Sequence, residues 1–363
     1  MKILHVESGT HFYGGARQVA YIVNGLSALG TENILVCPAG ADIALAVAGN
    51  AQVCEIPMRG DADIAMTWQI ARIIRQHCPD IVHLHSRRGA DIWGGIAARV
   101  AHVPCILSRR VDNTEKPAVV ALKYRLYDHI IAISEEIRRV LLREGVPADK
   151  LTCVRSAVDA TPYLQDVDHH LMRKTFSLPE NGITIGMVAQ LIPRKGHRYL
   201  IDAVDTLYKD FPDIRVICFG QGPLLSELKQ LVAQKKLDRI IQFAGFRADL
   251  PQWMGGLDIL AHPADKEGLG VSLLQAAAAA VPVIATKAGG LPEAVLDGVT
   301  GILTDAGDTD ALTEALRTLI QDGHKRQSLG QAGRQRIMAE FSVEAMVKGN
   351  LAVYQKTLRE SQT

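Results

Sequence analysis

The 363-residue chain has few aromatic residues, almost no net charge and no long apolar run. Aromatic side chains make up only 5% of the sequence although 48% is hydrophobic, a composition rich in aliphatic residues that is typical of buried parallel strands and their helices. No stretch of about 18 apolar residues occurs, so no segment is predicted to cross a membrane. We therefore expect a cytoplasmic globular protein of roughly two domains.

The cysteines and the charges exclude further classes of function. The six cysteines stand far apart without a CxxC pair, which argues against a zinc or redox centre and favours free buried thiols. The 40 basic and 39 acidic side chains nearly cancel, so we expect no nucleic-acid partner. Between Arg87 and Arg143, eleven basic residues accompany six acidic ones. This stretch is either an ordinary solvated surface or a contact for an anionic acceptor or for the inner membrane, where the protein would be peripheral.

Short apolar runs alternate with helical patterns, which predicts parallel sheets covered by helices on both faces. Turn signals between Thr161 and Gly182 interrupt the alternation, and only helical patterns follow Thr304. In the helix predicted at Asp63–His77, Ile64, Met66, Ile70, Ile73 and Ile74 fall largely along one face. The predicted strands are Lys2–Val6, Ile34–Cys37, Ile81–His85, Cys105–Ser108, Ile130–Ile133, Leu151–Val154, Ile183–Val188, Ile214–Phe219, Ile240–Phe243, Leu257–Ala261, Pro282–Thr286 and Gly301–Leu303.

This pattern predicts an α/β protein with two Rossmann-like, doubly wound domains that face each other across a deep cleft. We place the domains at residues 1–167 and 168–341, and we expect a C-terminal helix at 342–363 that crosses back to the first domain. Ligands of such sheets collect at the carboxyl ends of the strands. We therefore look for the functional residues in the segments that follow strands.

Two motifs of the first domain follow predicted strands. Gly14-Gly15 opens a helix after the first strand, where backbone amides can approach an anion, although a tight turn explains the pair equally well. The spacing is neither GxGxxG nor GxxxxGK[ST], which disfavours a dehydrogenase or a P-loop enzyme. His83 and His85 point to the same side of one strand. No third ligand stands at a recognisable spacing, so we expect no metal site and assign His85, at the strand end, to substrate contact and His83 to the core.

In the second domain, Arg194 and Lys195 follow a strand and precede a helix, which favours a site for a diphosphate that requires no metal. Gly220 and Gly222 end the next strand, where backbone could contact a phosphate or ribose. We also assign Phe246, which follows the strand at Ile240–Phe243, to the ligand-binding residues.

The most specific segment runs from Ala261 to Ala276. Glu267 lies in a glycine-flanked loop at a helix start, where the amides of Leu269, Gly270 and Val271 are free to bind phosphate or hydroxyl oxygens. Gln275, eight residues after Glu267, is predicted two turns along that helix and about 80° around it. A diphosphate held by Lys195 and amides, flanked by hydroxyl-binding side chains, is the chemistry of a nucleotide sugar.

At these residues the chain resembles the group 1 glycosyltransferases of glycosyltransferase family 4, which have the GT-B fold. The resemblance covers nearly the whole chain and is clearest from Ile183 to Leu303. It implies that Lys195 binds the donor diphosphate and that Glu267 contacts hydroxyls of the donor sugar. The family's second glutamate is Gln275 here, and its usual arginine is Gln190, whose charge Arg194 can supply. Gly14-Gly15, Val158-Asp159 and the turn Gly290-Leu-Pro-Glu293 match further family positions, whereas Ser156-Ala157 replaces the usual Asn-Gly.

The resemblance implies a retaining, metal-independent sugar transfer without a cofactor, from a nucleoside-diphosphate sugar to a hydroxyl of a glycan or glycolipid of the cell envelope. The first domain would bind the acceptor, and the second the donor. Arg87, Arg88, Arg109 and Arg110, at strand ends of the first domain, are candidates for an acidic or phosphorylated acceptor. Two alternatives remain open: a sugar-nucleotide-binding relative with little turnover, and a sugar-nucleotide 2-epimerase of the same fold.

Overall fold

The computed structural model describes residues 1–86, 89–111 and 113–361, which form two compact units. The first comprises Met1–Ala157 together with the chain from Val343 onward, and the second comprises Val158–Ser342. The predicted boundary at 167/168 is therefore ten residues too late. The segment joins the second unit because the amide of Val158 donates to the carbonyl of Phe341 at 3.0 Å and because Tyr163 is buried in that unit's core.

The described residues of the first unit build one parallel sheet of seven strands in the order β3-β2-β1-β4-β5-β6-β7. Six strands match predictions, whereas β3 was missed because it is an edge strand whose residues are mostly half-exposed. The strands are β1 Lys2–Val6, β2 Glu32–Pro38, β3 Gln52–Ile56, β4 Ile81–Leu84, β5 Cys105–Arg109, β6 His129–Ala132 and β7 Leu151–Cys153.

Seven described α-helices cover this sheet: α1 Gly14–Ala28, α2 Ile43–Ala46, α3 Ala65–His77, α4 Ala90–Val100, α5 Pro117–Lys123, α6 Glu135–Arg143 and the C-terminal α15 Val343–Ser361. In α3 the predicted face is correct for Met66, Ile70 and Ile74, which are buried, and wrong for Ile64, which precedes the helix and is 60% exposed. Helix α15 packs against α1, where Val347 leaves no room for a side chain at Gly25.

The second unit contains a parallel sheet of six strands in the order β10-β9-β8-β11-β12-β13, and all six match predicted strands. This topology confirms the predicted doubly wound α/β class. The elements are α7 His169–Phe176, β8 Thr184–Val188, α8 His197–Leu207, β9 Arg215–Phe219, α9 Leu225–Gln234, β10 Ile241–Gly245, α10 Pro251–Met254, β11 Ile259–His262, α11 Val271–Ala278, β12 Val283–Thr286, α12 Leu291–Ala294, β13 Gly301–Thr304, α13 Thr309–Gln321 and α14 Gly323–Glu340.

Each sheet has a switch point, where the strand order reverses and the loops at the carboxyl ends diverge. It lies between β1 and β4 in the first unit and between β8 and β11 in the second. Crevices at such points are the usual ligand sites of open parallel sheets. The loops after these four strands carry Glu7, His85, Lys195 and Glu267.

The membrane and cysteine predictions can be checked against these elements. Over the described ranges, none of the helices combines the length and apolar character needed to cross a bilayer. All six cysteines are unpaired, but only Cys37, Cys105 and Cys218 are buried, and Cys78 is exposed. The expectation that the thiols are buried is therefore only partly correct.

Candidate functional site

The loop that carries Lys195 lies close against the loop after β11. Residues Pro193–Lys195 form one turn of 3-10 helix, which ends at Gly196 with a φ of +74°. A Cβ at position 196 would overlap the carbonyl of Pro263, so only glycine allows the two loops to approach this closely. Local backbone geometry thus places Lys195 beside the segment that leads to Glu267.

Lys195 and Glu267, 72 residues apart in sequence, meet as an ion pair whose side chains are 10% and 16% exposed. The ammonium of Lys195 contacts Oε2 of Glu267, and Nε2 of His262 donates to the same oxygen at 3.2 Å. Oε1 accepts from the amide of Gly268 at 3.1 Å. The carboxylate is therefore held by three donors from two loops.

The protonation states follow from these contacts. Burial alone would raise the pKa of Glu267, but the His262 hydrogen bond and the charge of Lys195 outweigh it and hold the pKa below its usual range. Burial lowers the pKa of His262 despite the neighbouring carboxylate. Near neutral pH the site thus combines an ammonium, a carboxylate and a neutral imidazole.

Arg194 is exposed, and its guanidinium donates to the carbonyl of Lys266 at 3.0 Å. Its own carbonyl accepts from the amide of Asp265 at 2.9 Å. Through these two hydrogen bonds, Arg194 connects the loop of Lys195 to the loop of Glu267. Its guanidinium also places a positive charge at the surface beside the ion pair.

The segment after Glu267 leads into α11, which begins at Val271 with Gly270 as its preceding residue at a φ of +81°. Leu269 buries its side chain, and Gln275 is 8% exposed on α11. Glu267 stands four residues before the helix, so the predicted angle between it and Gln275 around one helix does not apply. The free amides at the start of α11 and Glu267 nevertheless belong to one continuous segment.

The remaining donor-binding candidates of the second unit follow the strands β8, β9 and β10. Side chains at Gly220 and Gly222 would collide with the backbone of Ala189 and Leu191, so these glycines allow two loops to pack. Gln190 is exposed in the loop after β8. Phe246, which is 53% exposed, follows β10, an edge strand two positions from β8.

A cavity of about 320 Å³ opens at the carboxyl edge of the first sheet. Its lining includes Glu7, His85, Ser108, Arg109, Arg110 and Lys123. Within this lining, Lys123 pairs with Asp91 at 2.7 Å. Lys123 and Arg109 also contact Glu115, at 3.0 and 3.4 Å. Arg109 is only 2% exposed and partly neutralised, whereas Arg110 is partly buried and lines the cavity.

Comparison with known protein families shows which family the chain belongs to. A family model described as "Glycosyl transferases group 1" matches residues 168–336, and one described as "Glycosyltransferase Family 4" matches residues 12–161. The chain belongs to the group 1 glycosyltransferases of family 4.

Individual relatives support this assignment. A GDP-mannose-dependent alpha-(1-6)-phosphatidylinositol monomannoside mannosyltransferase from Mycolicibacterium smegmatis is 34% identical over 198 residues, 52% of each chain. A 2-deoxystreptamine glucosyltransferase from Streptomyces kanamyceticus is 28% identical over 303 residues, 76% of this chain and 77% of the relative. The chain spans about half the length of the mannosyltransferases that it matches.

The fold of this family 4 glycosyltransferase is also that of solved structures. Anabaena Alr3699/HepE, crystallised in complex with UDP, superposes with a TM-score of 0.87 at 21% identity, over 98% of this chain and 100% of that one. The likeness establishes the GT-B fold.

Some of the glycines and arginines that were predicted to bind a ligand in the first unit of this glycosyltransferase line the cavity. Gly14 and Gly15 begin α1 with open space around both, and Gly15 lines the cavity. Arg87 and Arg88 lie outside the described residues. Of the four arginines proposed for an acceptor, Arg109 and Arg110 line the cavity, and Arg110 is the less buried of these two.

Three histidines cluster beside this cavity, which corrects the expectation that His83 and His85 have no third partner. His5 of β1 pairs in register with His83 of β4, and nitrogens of the three rings lie within 4.8 Å of one another. Such a set could hold a metal ion in principle. However, His83 is already hydrogen-bonded to Tyr354 at 2.6 Å and to Ser108 at 2.8 Å, as befits a core histidine.

The sequence analysis missed two histidines beside the ion pair of Lys195 and Glu267. His262 holds Glu267, and His197 begins α8 next to Lys195 with 3% exposure. Neither ring nitrogen of His197 has a hydrogen-bond partner among the described residues, and burial with the nearby His262 and Lys195 lowers its pKa to about 4. The sequence signal for His262 was its place at the end of a buried strand.

Proposed function

We propose that the chain transfers a sugar from a nucleoside-diphosphate sugar to a hydroxyl of a glycan or glycolipid of the cell envelope. The observation that carries this proposal is the contact of Lys195 and His262 with Glu267 at the switch point of the second sheet. The names of relatives agree with the substrate class, since they include phosphatidylinositol mannoside and lipopolysaccharide core mannosyltransferases.

In the donor complex, Lys195 would bind the diphosphate and Glu267 the sugar. An ammonium has three N–H donors, so the contact with Glu267 leaves two for phosphate oxygens. Oε1 of Glu267 receives one hydrogen bond, from Gly268, and keeps a lone pair for a sugar hydroxyl. The amides of Leu269, Gly270 and Val271 would add donors at the positive end of α11.

The barrier to transfer is cleavage of the anomeric C–O bond while negative charge builds on the departing nucleoside diphosphate. Lys195, Arg194 and the α11 amides would stabilise that charge without a metal ion. Attack of the acceptor hydroxyl on the face that the phosphate leaves, with its proton passing to an oxygen of the departing phosphate, would retain the anomeric configuration. Proton NMR of the product tests the configuration, and turnover that is unchanged by EDTA tests the independence from metal.

The acceptor would bind in the cavity of the first unit. Arg110 would pair with an acidic or phosphorylated group of the acceptor, since Arg109 is already shared with Glu115. Glu7 lines the same cavity and interacts electrostatically with Arg110, so an anionic group of the acceptor would compete with this carboxyl group. An Arg110→Ala variant should bind a charged acceptor more weakly, and a neutral acceptor as before.

A donor panel distinguishes this function from the alternatives. UDP-, GDP- and ADP-sugars are tested for thermal stabilisation of the protein and for release of the nucleoside diphosphate with and without acceptor. Acceptor-dependent release supports the transferase. Tight binding without any release would identify a binding protein, and conversion of the donor sugar without acceptor would identify an epimerase.

A further inference from the structure

A chain of three hydrogen-bonded side chains runs from the core of the first unit to its cavity. Nε2 of His5 lies 3.2 Å from Oδ1 of Asn33, and Nδ1 of His5 lies 3.0 Å from Nε2 of His85. Asn33 is 5% exposed, His5 0% and His85 1%, so the chain is shielded from water until it reaches the cavity.

The direction of this chain is set by Asn33. Its Nδ2 faces the carbonyls of Val23, Thr31 and Asn50 at 3.2, 3.1 and 3.3 Å. The reverse amide orientation would place Oδ1 against three carbonyl oxygens and is excluded by repulsion. Oδ1 therefore faces His5 and can only accept a hydrogen bond.

The protons of the two imidazoles follow from that orientation. His5 must carry its proton on Nε2 in order to donate to Asn33, so its Nδ1 is unprotonated and can only accept a hydrogen bond. His85 must then carry its proton on Nε2 in order to donate to His5. A neutral imidazole has one N–H, so Nδ1 of His85 is left unprotonated.

Both rings stay neutral near pH 7. Burial lowers the pKa of His5 to about 4, and burial together with His83, His5 and Arg110 lowers the pKa of His85 well below its ordinary value. A doubly protonated ring would be able to donate from both nitrogens, but this environment disfavours it.

His85 lines the cavity, so its Nδ1 is the end of the chain that a ligand can reach. A guanidinium nitrogen of Arg110 lies 3.4 Å from Nδ1, beyond the usual 2.7 to 3.2 Å range of N–H hydrogen bonds, so the lone pair is weakly engaged. Arg110 and His85 therefore offer a cation and a neutral acceptor side by side.

We propose that Nδ1 of His85 accepts a hydrogen bond from a hydroxyl of the substrate in this cavity, and that His5 and Asn33 are positioning residues that keep it an acceptor. The inference rests on the proposed function for the identity of the ligand as a sugar acceptor. An ionised phosphate or carboxylate oxygen has no hydrogen to donate to this nitrogen, so such an oxygen would pair with Arg110 instead.

The same proton assignment bears on metal binding. An ion held by His5, His83 and His85 would need lone pairs on the facing nitrogens of His5 and His85, and the proton shared by those nitrogens would have to leave. Stoichiometric zinc that survives dialysis and abolishes the His5 to His85 hydrogen bond would overturn the proposal.

The experiment uses the full chain labelled with ¹⁵N-histidine. Two-bond ¹H–¹⁵N correlation spectra report which ring nitrogen carries the proton, and the His85→Gln variant assigns the His85 signals. The wild-type protein is expected to show His85 protonated on Nε2 alone. A proton on Nδ1 of His85 would contradict the proposal.

Two substitutions at position 5 separate positioning from simple packing. His5→Asn places a carbonyl oxygen near the former Nδ1 and should keep His85 in one tautomer. His5→Leu removes the acceptor and should give a mixture of tautomers or the Nδ1–H form. If both variants leave His85 unchanged, His5 does not set the tautomer. If His5→Leu fails to fold, His5→Phe, which keeps a planar ring without an acceptor nitrogen, serves as the second probe and should likewise lose the single tautomer.

Two small probes then test the ligand class. Methyl α-mannoside should shift the His85 Nδ1 resonance in the direction of hydrogen-bond acceptance. Sulfate, which carries no proton near neutral pH, should shift the Arg110 guanidinium signals and leave that resonance in place. The opposite pattern, or no shift with the glycoside, would refute the hydroxyl assignment. Because donor binding to the second unit is measured separately, loss of the proposed transferase function would be seen independently of this result.

Discussion

Replacing Lys195 by alanine removes one full charge from the proposed donor site. The remaining Glu267 carboxylate keeps His262 and Gly268 as donors but loses its counter-ion, and it would then repel a bound diphosphate. Two unit charges about 4 Å apart interact by roughly 4 kcal/mol at the effective dielectric of about 20 that suits partly buried pairs. The loss of transition-state stabilisation should therefore be at least about 2.7 kcal/mol, a hundredfold decrease in kcat/KM for the donor.

The assay measures release of the nucleoside diphosphate at several donor concentrations with a fixed acceptor. Lys195→Arg keeps the charge and should retain more activity than Lys195→Ala. Lys266→Ala is the matched control, because this exposed lysine lies in the same loop segment and only its backbone carbonyl contacts Arg194. Its kcat/KM should stay within about twofold of the wild-type value.

The double variant Lys195→Ala with Glu267→Gln adds an internal check. Since Glu267→Gln removes the uncompensated carboxylate, the two losses should be less than additive. A folded Lys195→Ala protein with kcat/KM within threefold of the wild-type value would refute the assignment of Lys195 to the diphosphate.

Three further predictions concern stability and loop geometry. Gly196→Ala should abolish donor binding and lower the free energy of unfolding by more than about 2 kcal/mol, because the added Cβ would overlap Pro263. Gly30→Ala, at a φ of +78° in open space, should lower it only by the roughly 1 to 2 kcal/mol that a left-handed backbone costs. Equal losses in urea titrations would contradict this prediction. Burial lowers the pKa values of His5 and His197 to about 4 in the folded protein, below the 6.5 of the unfolded chain. The free energy of unfolding should therefore be unaffected by either ring above pH 6.5 and fall by up to about 3 kcal/mol for each ring as the pH drops to 4. Urea midpoints that do not change over that range would argue against neutral buried rings. Lys123→Ala should destabilise the first unit by about 3 to 5 kcal/mol because Asp91 and Glu115 lose their cation, while Lys116→Ala, an exposed neighbour, should change the unfolding curve by less than about 0.5 kcal/mol.

The meeting of Lys195 and Glu267 could be predicted from sequence because the two residues follow strands that become neighbours. Strands β8 and β11 pair directly, so loops that are 72 residues apart in the chain meet at one edge of the sheet. Apolar runs bounded by turn residues were sufficient to locate both strands. The helix start after Glu267 was placed too early, since glycines and Leu269 extend the loop to Val271.

The histidines could not be understood from sequence because their role depends on register. His5 is an ordinary polar residue of a first strand until the pairing of β1 with β4 sets it beside His83. Likewise, His262 is separated from Lys195 by a whole set of elements, and its contact with Glu267 depends on how the loop after β11 turns. Such contacts follow from strand order and loop path, which hydrophobic periodicity does not specify.

The edge strand β3 and the domain boundary were missed for a related reason. Strand β3 is half-exposed and lacks the continuous apolar run of a central strand. The residues from 158 to 167 resemble a linker in composition, but Val158 and Tyr163 are anchored in the second unit.

The most direct test of the account is a calorimetric titration of nucleoside-diphosphate sugars with the wild-type protein and the Lys195→Ala variant. We expect one nucleotide class to bind the wild-type protein with its Kd raised at least about tenfold in the variant, equivalent to 1.4 kcal/mol. No binding by any activated sugar, or equal affinity in the two proteins, would contradict the claim that Lys195 and Glu267 form the donor site.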